Sequence, residues 1–112
     1  MPAEPLSPTD PSALLDAVNH LADRLRSMPQ SRLDGAVPGH PSRAAAGLAL
    51  ARQLATTALA LAGQPPHEFP DVGPFAVGDQ LTVAGHELAA VADEPHLAEA
   101  IAAVRATTAL IA

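Results

Sequence analysis

Three groups of side chains in this 112-residue chain have the types and spacing to do chemistry. Asp16, His20 and Asp23 recur at spacings of four and three. On an α-helix that puts them on one face, where carboxylates and an imidazole could surround a cation. Nothing nearby would orient such ligands, so the plainer reading is a solvated face with a local ion pair to Arg24, and no metal is expected. Arg52, His86 and Glu87 form the second group. Arg52 interrupts an otherwise apolar stretch, and a buried Arg without a partner is strongly destabilising. If the helices on either side of the 64–74 connector are antiparallel, Arg52 falls level with His86, and Glu87 misses by one residue. The functional reading is a small anionic-ligand pocket on Arg52 and His86. The structural reading is an Arg52–Glu87 pair, or an Arg whose head reaches water. Asp79 and His86 form the third group, a carboxylate and imidazole suggestive of general-base catalysis. Seven residues of helix separate them by about 10 Å, too far for a hydrogen bond, so Asp79 is read as a first-turn carboxylate favouring the helix dipole.

The elements that must position these residues are parsed by twelve prolines. Proline suits connectors and first helical turns and is disfavoured in helix interiors. Residues 1–9 read as a disordered Pro-rich tail, and 10–112 as one domain of four helices, at about 11–28, 41–62, 75–93 and 95–111. In the first helix Asp10 is the N-cap, Pro11 follows at N1, and Leu14, Val18, Leu21, Leu25 and Met28 make an apolar stripe. QSRLDGAVPGH is read as loop, tacked to the core by Leu33 and Val37. The second helix is apolar nearly all round, which marks a central helix, and Gly63 stops it. In the 64–74 connector Phe69 and Val72 are expected to plug one end of the fold. The third helix carries the stripe Val77, Leu81, Ala84, Leu88 and Val91. The fourth has Leu97, Ile101, Val104 and Ile111 on its core face and ends without a polar cap. The fold class is all-α, an up-down-up-down four-helix bundle with close Ala/Gly helix packing.

A ladder of small residues supports that packing. Gly78, Thr82, Gly85, Ala89 and Ala92 alternate at spacings of four and three, making one seam on the third helix. Interior glycine costs a helix about 1 kcal/mol relative to Ala, so two on one seam imply that the missing side chain is used. The expected partner is the second helix, through Ala51, Ala55, Ala58 and Ala62.

Composition removes several function classes. The chain has no cysteine, so thiolate zinc sites and cysteine nucleophiles are excluded. A formal charge of −6 disfavours a generic nucleic-acid surface. The opening MPAEPLSPTDP has neither the basic nor the apolar region of a signal peptide. The apolar run from Ala44 to Ala62 is broken by Arg52 and Gln53, so it reads as a buried helix, with no membrane partner and a cytoplasmic setting expected. No P-loop, G-x-S-x-G or G-x-G-x-x-G pattern is present. The basic residues are all Arg, which with the Ala and Pro load suggests a high-GC genome.

LADRLRSMPQSRL (21–33) and FPDVGPFAVGDQLTVAGHEL (69–88) resemble small Ala-rich uncharacterised proteins of high-GC actinobacteria. The resemblance covers most of the chain after the tail. It implies a small helical cytoplasmic protein, with no activity and no functional residue carried over.

The expectation from sequence is a non-enzymatic helical interaction module without cofactors: a homodimer to which the first or fourth helix contributes, because the core is marginal and the last turn apolar, or else a subunit for a protein partner. The alternative is a small-molecule-binding or enzymatic helical bundle using Arg52, His86 and Glu87.

Overall fold

The computed structural model describes residues 9–112, so the expected tail lies outside the described residues except for Thr9. The described chain is all-helical: α1 Pro11–Ser27, a one-turn α2 Gln30–Leu33, α3 Arg43–Leu61, α4 Val77–Val91 and α5 Glu94–Ile111. A 3₁₀ turn at Pro74–Ala76 leads into α4.

Local chemistry explains most of these boundaries. Asp10 caps α1 by accepting from the Ser12 N–H, with Pro11 in the first turn. Ser42 caps α3 through the Ala45 N–H, and Asp93 caps α5 through the His96 N–H. α3 ends in a Schellman arrangement: Gln64 N–H bonds Leu59 O at 2.9 Å, and Gly63 takes φ 69°. The stretch after Met28 is not wholly loop, because Leu33 turns into the core and is fully buried, closing α2. Val37 is also buried, so this connection is tacked down at both expected points.

α1 packs on α4, α4 on α3, α3 on α5 and α5 on α1, so the four long helices enclose one core. Leu14, Val18, Leu21, Leu25, Leu54, Leu81, Leu88 and Val104 are its large buried members. α3 has the length and apolar composition of a membrane span, and half of its apolar window is buried within the fold, where it packs on α4 and α5.

The expected up-down-up-down order does not hold. A Cβ added at Gly47, near the start of α3, would meet Val77 and Leu81, near the start of α4. At the other end Ala58, Leu59 and Ala62 share a groove with Glu87, Ala90 and Val91. α3 and α4 are therefore parallel. α1 runs against α4, since Val18 meets Gly85 and Arg26 meets Gly78. α5 runs against α3, since Arg43 bonds Ile111 O while Gln53 and Thr57 lie beside His96 and Ala100. A parallel pair needs a return crossover. Residues 62–76 supply it, and at about 3.3 Å per residue an extended chain of this length easily covers the roughly 20 Å of helix to be retraced. Pro65, Pro66, Pro70 and Pro74 suit such an extended strap.

The small-residue seam also faces a different helix from the one expected. A Cβ on Gly85 would lie 2.8 Å from Val18 Cγ1, and one on Gly78 would lie 2.9 Å from Arg26 Cγ and 3.2 Å from Ala22 O. Both glycines admit α1. The close approach of α3 to α4 is made instead by Gly47, where an added Cβ would come within 2.7 Å of Val77 and 3.0 Å of Leu25. Ala89 and Ala92 are partly buried against the core, and Ala92 lies just past the end of α4.

Candidate functional site

The crossover is held at its middle by two side chains reaching from the helices it spans. Arg52 Nε, on α3, donates to Phe69 O at 2.9 Å. Gln80 Nε2, on α4, donates to Pro70 O at 2.9 Å. Successive carbonyls of an extended Pro-rich segment have no helix or strand partners, so a donor from each flanking helix satisfies them. Glu68 adds an ion pair with Arg52 at 3.7 Å. Gln80 is buried, and its Oε1 has no hydrogen-bond partner among the described residues.

This arrangement corrects the reading of Arg52, His86 and Glu87 as one cluster. Arg52 does not pair with Glu87; its acid is Glu68. The expected level rested on an antiparallel register. In the parallel one Glu87 stands beside Ala55 and Leu59, farther along α3 than Arg52. His86 and Glu87 are exposed. Phe69 packs partly against the core, but Val72, expected to plug an end, is 63% exposed, as is Phe75 at 67%.

The other two groups do not assemble either. Asp16, His20 and Asp23 lie on an exposed face, and no cluster fit for a metal ion occurs among the described residues. Asp23 pairs with Arg26 at 3.2 Å, not with Arg24, whose buried Nε has no hydrogen-bond partner among the described residues. Asp79 sits in the first turn of α4 as expected, but its partner is Arg26 Nη2 at 2.8 Å, and His86 plays no part. The same Nη2 donates to Thr82 Oγ1 at 3.0 Å. The hydrogen bond to Asp79 raises the Arg26 pKa above its ordinary value. Asp93 is held below the usual carboxylate range, first by the His96 backbone N–H and then by the His96 ring. The Arg26–Asp79 pair ties α1 to α4 at exposed helix ends, and the Asp93–His96 contact closes the first turn of α5.

Two concave features flank the held segment of the crossover. Toward the helix starts is a cleft of about 350 Å³. It is lined by the aliphatic side chains of Ala45, Leu48 and Val77 together with Arg52, Asp34 and Asp71. Toward the helix ends, α3 and α4 leave an apolar groove of about 290 Å³, formed by Ala58, Leu59, Ala62, Ala90 and Val91, with Glu87 on its edge. His67 and Phe69 cover the continuation of that groove. The groove exists because the facing positions are Ala, too short to fill the space between helices. Val91, expected in the core, is 41% exposed here.

Sequence reasoning missed Gln80, Gly47, Arg43 and the two carboxylates that line the cleft, Asp34 and Asp71. Gln80 carried the one available signal, being a polar residue one position before core Leu81 in an apolar run.

No protein-family model matches the chain, and no curated protein and no solved structure matches it.

Proposed function

We propose that this chain is a non-enzymatic helical interaction module, a four-helix bundle with one crossover that receives an apolar helix with basic flanks from a partner protein. The observation that carries this reading is the apolar groove between the C-terminal halves of α3 and α4. An amphipathic helix offers such a groove anchors at i, i+3, i+4 and i+7.

Charge selects the occupant. Glu87 stands on the groove edge. α4 contains no Arg or Lys, and the two Arg residues of α3, Arg43 and Arg52, are in its first ten positions. A second copy is the weaker candidate. The apolar last turn that suggested one is spent within the chain, since Ile111 is fully buried and Arg43 Nε donates to its carbonyl at 3.0 Å.

The test is fluorescence anisotropy with two synthetic amphipathic helices, identical in their Leu face and flanked by Arg or by Glu. The Arg-flanked peptide should bind, and Val91→Glu or Ala90→Glu should weaken it by about tenfold or more. Equal binding of both peptides, no change in the variants, or sedimentation showing a dimer that buries Val91 would overturn the reading.

A further inference from the structure

The cleft at the other end of the α3–α4 pair is lined by one cation, Arg52, and by two carboxylates, Asp34 and Asp71, that do not pair with it. The Arg52 guanidinium is anchored by its Nε to Phe69 O, with Glu68 also near Nε. Among the described residues neither Nη atom donates a hydrogen bond. Asp71 Oδ1 accepts from Gly73 N–H at 3.1 Å, which fixes that carboxylate as part of the crossover wall. Neither Asp71 nor Asp34 forms an ion pair with Arg52 or with any other described cation, although all three line the cleft. Ala45, Leu48 and Val77 add an aliphatic lining. The volume, about 350 Å³, falls within the range of small-ligand sites.

A site satisfied by its own side chains would close an Arg–Asp pair across such a gap. Here the fork of the guanidinium is directed by its Nε anchor and left open at its Nη edge, the geometry that receives a carboxylate through two parallel hydrogen bonds. Asp34 and Asp71, which also line the cleft, can accept from an ammonium. Arg52 and Ser42, both lining the cleft, are ten residues apart on α3, about 15 Å of rise between their Cα atoms. The Arg side chain leans back toward the helix N-terminus and shortens that span.

We propose that this cleft binds a small zwitterion: a carboxylate on the Arg52 Nη edge, a short aliphatic chain over Ala45, Leu48 and Ala49, and an ammonium between Asp34 and Asp71. The site is distinct from the apolar groove and does not rest on it.

The test is amide-shift NMR with three probes of one chain length. They are 6-aminohexanoate, its carboxamide, and its N-acetyl form, so that each control lacks one charge. 6-Aminohexanoate should shift the amides of Ala45, Leu48, Ala49 and Gly73 and bind at least about tenfold more tightly than either control. Asp34→Asn with Asp71→Asn should bring its affinity down to that of the N-acetyl form and leave the latter unchanged. Asn at 71 retains an oxygen for the Gly73 N–H. Arg52→Gln should bring it down to that of the carboxamide. Should Arg52→Gln loosen the crossover, the paired Asn variant still decides, because neither Asp packs in the core. Equal affinity of the three probes, or no cleft shifts from 6-aminohexanoate at about 50 mM, a concentration that would reveal even millimolar binding, would overturn the proposal.

Discussion

Gly85→Ala is expected to destabilise the protein, although the same change in an exposed helix would stabilise it. Replacing an interior helical glycine by alanine gains about 1 kcal/mol of propensity. At Gly85 the new methyl would lie 2.8, 3.0 and 3.2 Å from Val18 Cγ1, Cγ2 and Cβ. Val18 is fully buried. A β-branched side chain in a helix has one strongly preferred rotamer, so it cannot swing away. α1 must then move off α4, and overpacking of this kind costs about 1–3 kcal/mol. The net loss is about 1 kcal/mol, or about 4 °C in melting temperature for a domain of this size. Thermal unfolding by circular dichroism measures it. Val18→Ala supplies the control, because it removes the two methyls that clash. In that background Gly85→Ala should stabilise, by its propensity and by partly refilling the hole. The double-mutant cycle should show a coupling of at least about 1 kcal/mol. A Gly85→Ala variant that melts at or above the parent, or a coupling near zero, would refute the assignment of this glycine to the α1 contact.

Gly47→Ala should be costlier than Gly85→Ala, because its methyl would meet Val77 at 2.7 Å and Leu25 at 3.0 Å, from two different helices; the same melts rank the two. Arg43→Ala should fray the end of α5, since it removes donors to Ile111 O and Arg32 O at 3.0 and 3.2 Å. Faster amide exchange in the last turn and a loss of about 1–2 kcal/mol should be seen. Arg26→Met should lose less than about 1 kcal/mol, and that loss should shrink with added salt, because its pair with Asp79 is solvent-exposed. Asp93 titrates below its unfolded value, so its contribution is present above that value and fades as pH falls through the lower folded one. Asp93→Asn should therefore give a shallower fall in melting temperature below about pH 4 than the parent shows.

Helix positions were legible in the sequence because they rest on local rules. Asp10 and Pro11 start α1, Gly63 ends α3, and the periodic stripe of α1 is wholly buried. The seam glycines were legible as a close contact because their cost in a helix demands a reason. Their partner was not, since helix direction is decided by the connector between α3 and α4, and nothing local separates a loop that turns back from one that crosses over. Length held a partial signal: an antiparallel pair needs only a few residues to close, whereas the crossover takes up residues 62–76. Once the direction was taken wrongly, Arg52 was matched to the wrong level of α4, and Glu87 and His86 entered a site to which they do not belong. Gly47 was hidden by its surroundings, since one more small residue in an Ala-rich helix carries little contrast. Arg43 was not legible as a cap for α5, because its partner is 68 residues away.

The parallel placement of α3 and α4 is what gives the molecule two unlike ends. Antiparallel neighbours set the positive end of one helix dipole beside the negative end of the next, and the fields largely cancel. The pair α3–α4 does not cancel within itself, but α1 and α5, each antiparallel to one of them, bring their N-terminal ends beside the C-terminal ends of α4 and α3, so the charge at the groove rests on Glu87 at its edge. Asp34 and Asp71 border the cleft at the other end. The crossover that parallel packing requires is a wall of both features. Phe69 covers the continuation of the groove, Asp71 and Gly73 border the cleft, and the Phe69 and Pro70 carbonyls between them are held by Arg52 and Gln80. Arg52 therefore commits its Nε to the fold, donating to Phe69 O and pairing with Glu68, while the side chain, 32% exposed, also lines the cleft. Those partners, together with water, explain how a guanidinium can sit midway along an apolar helix.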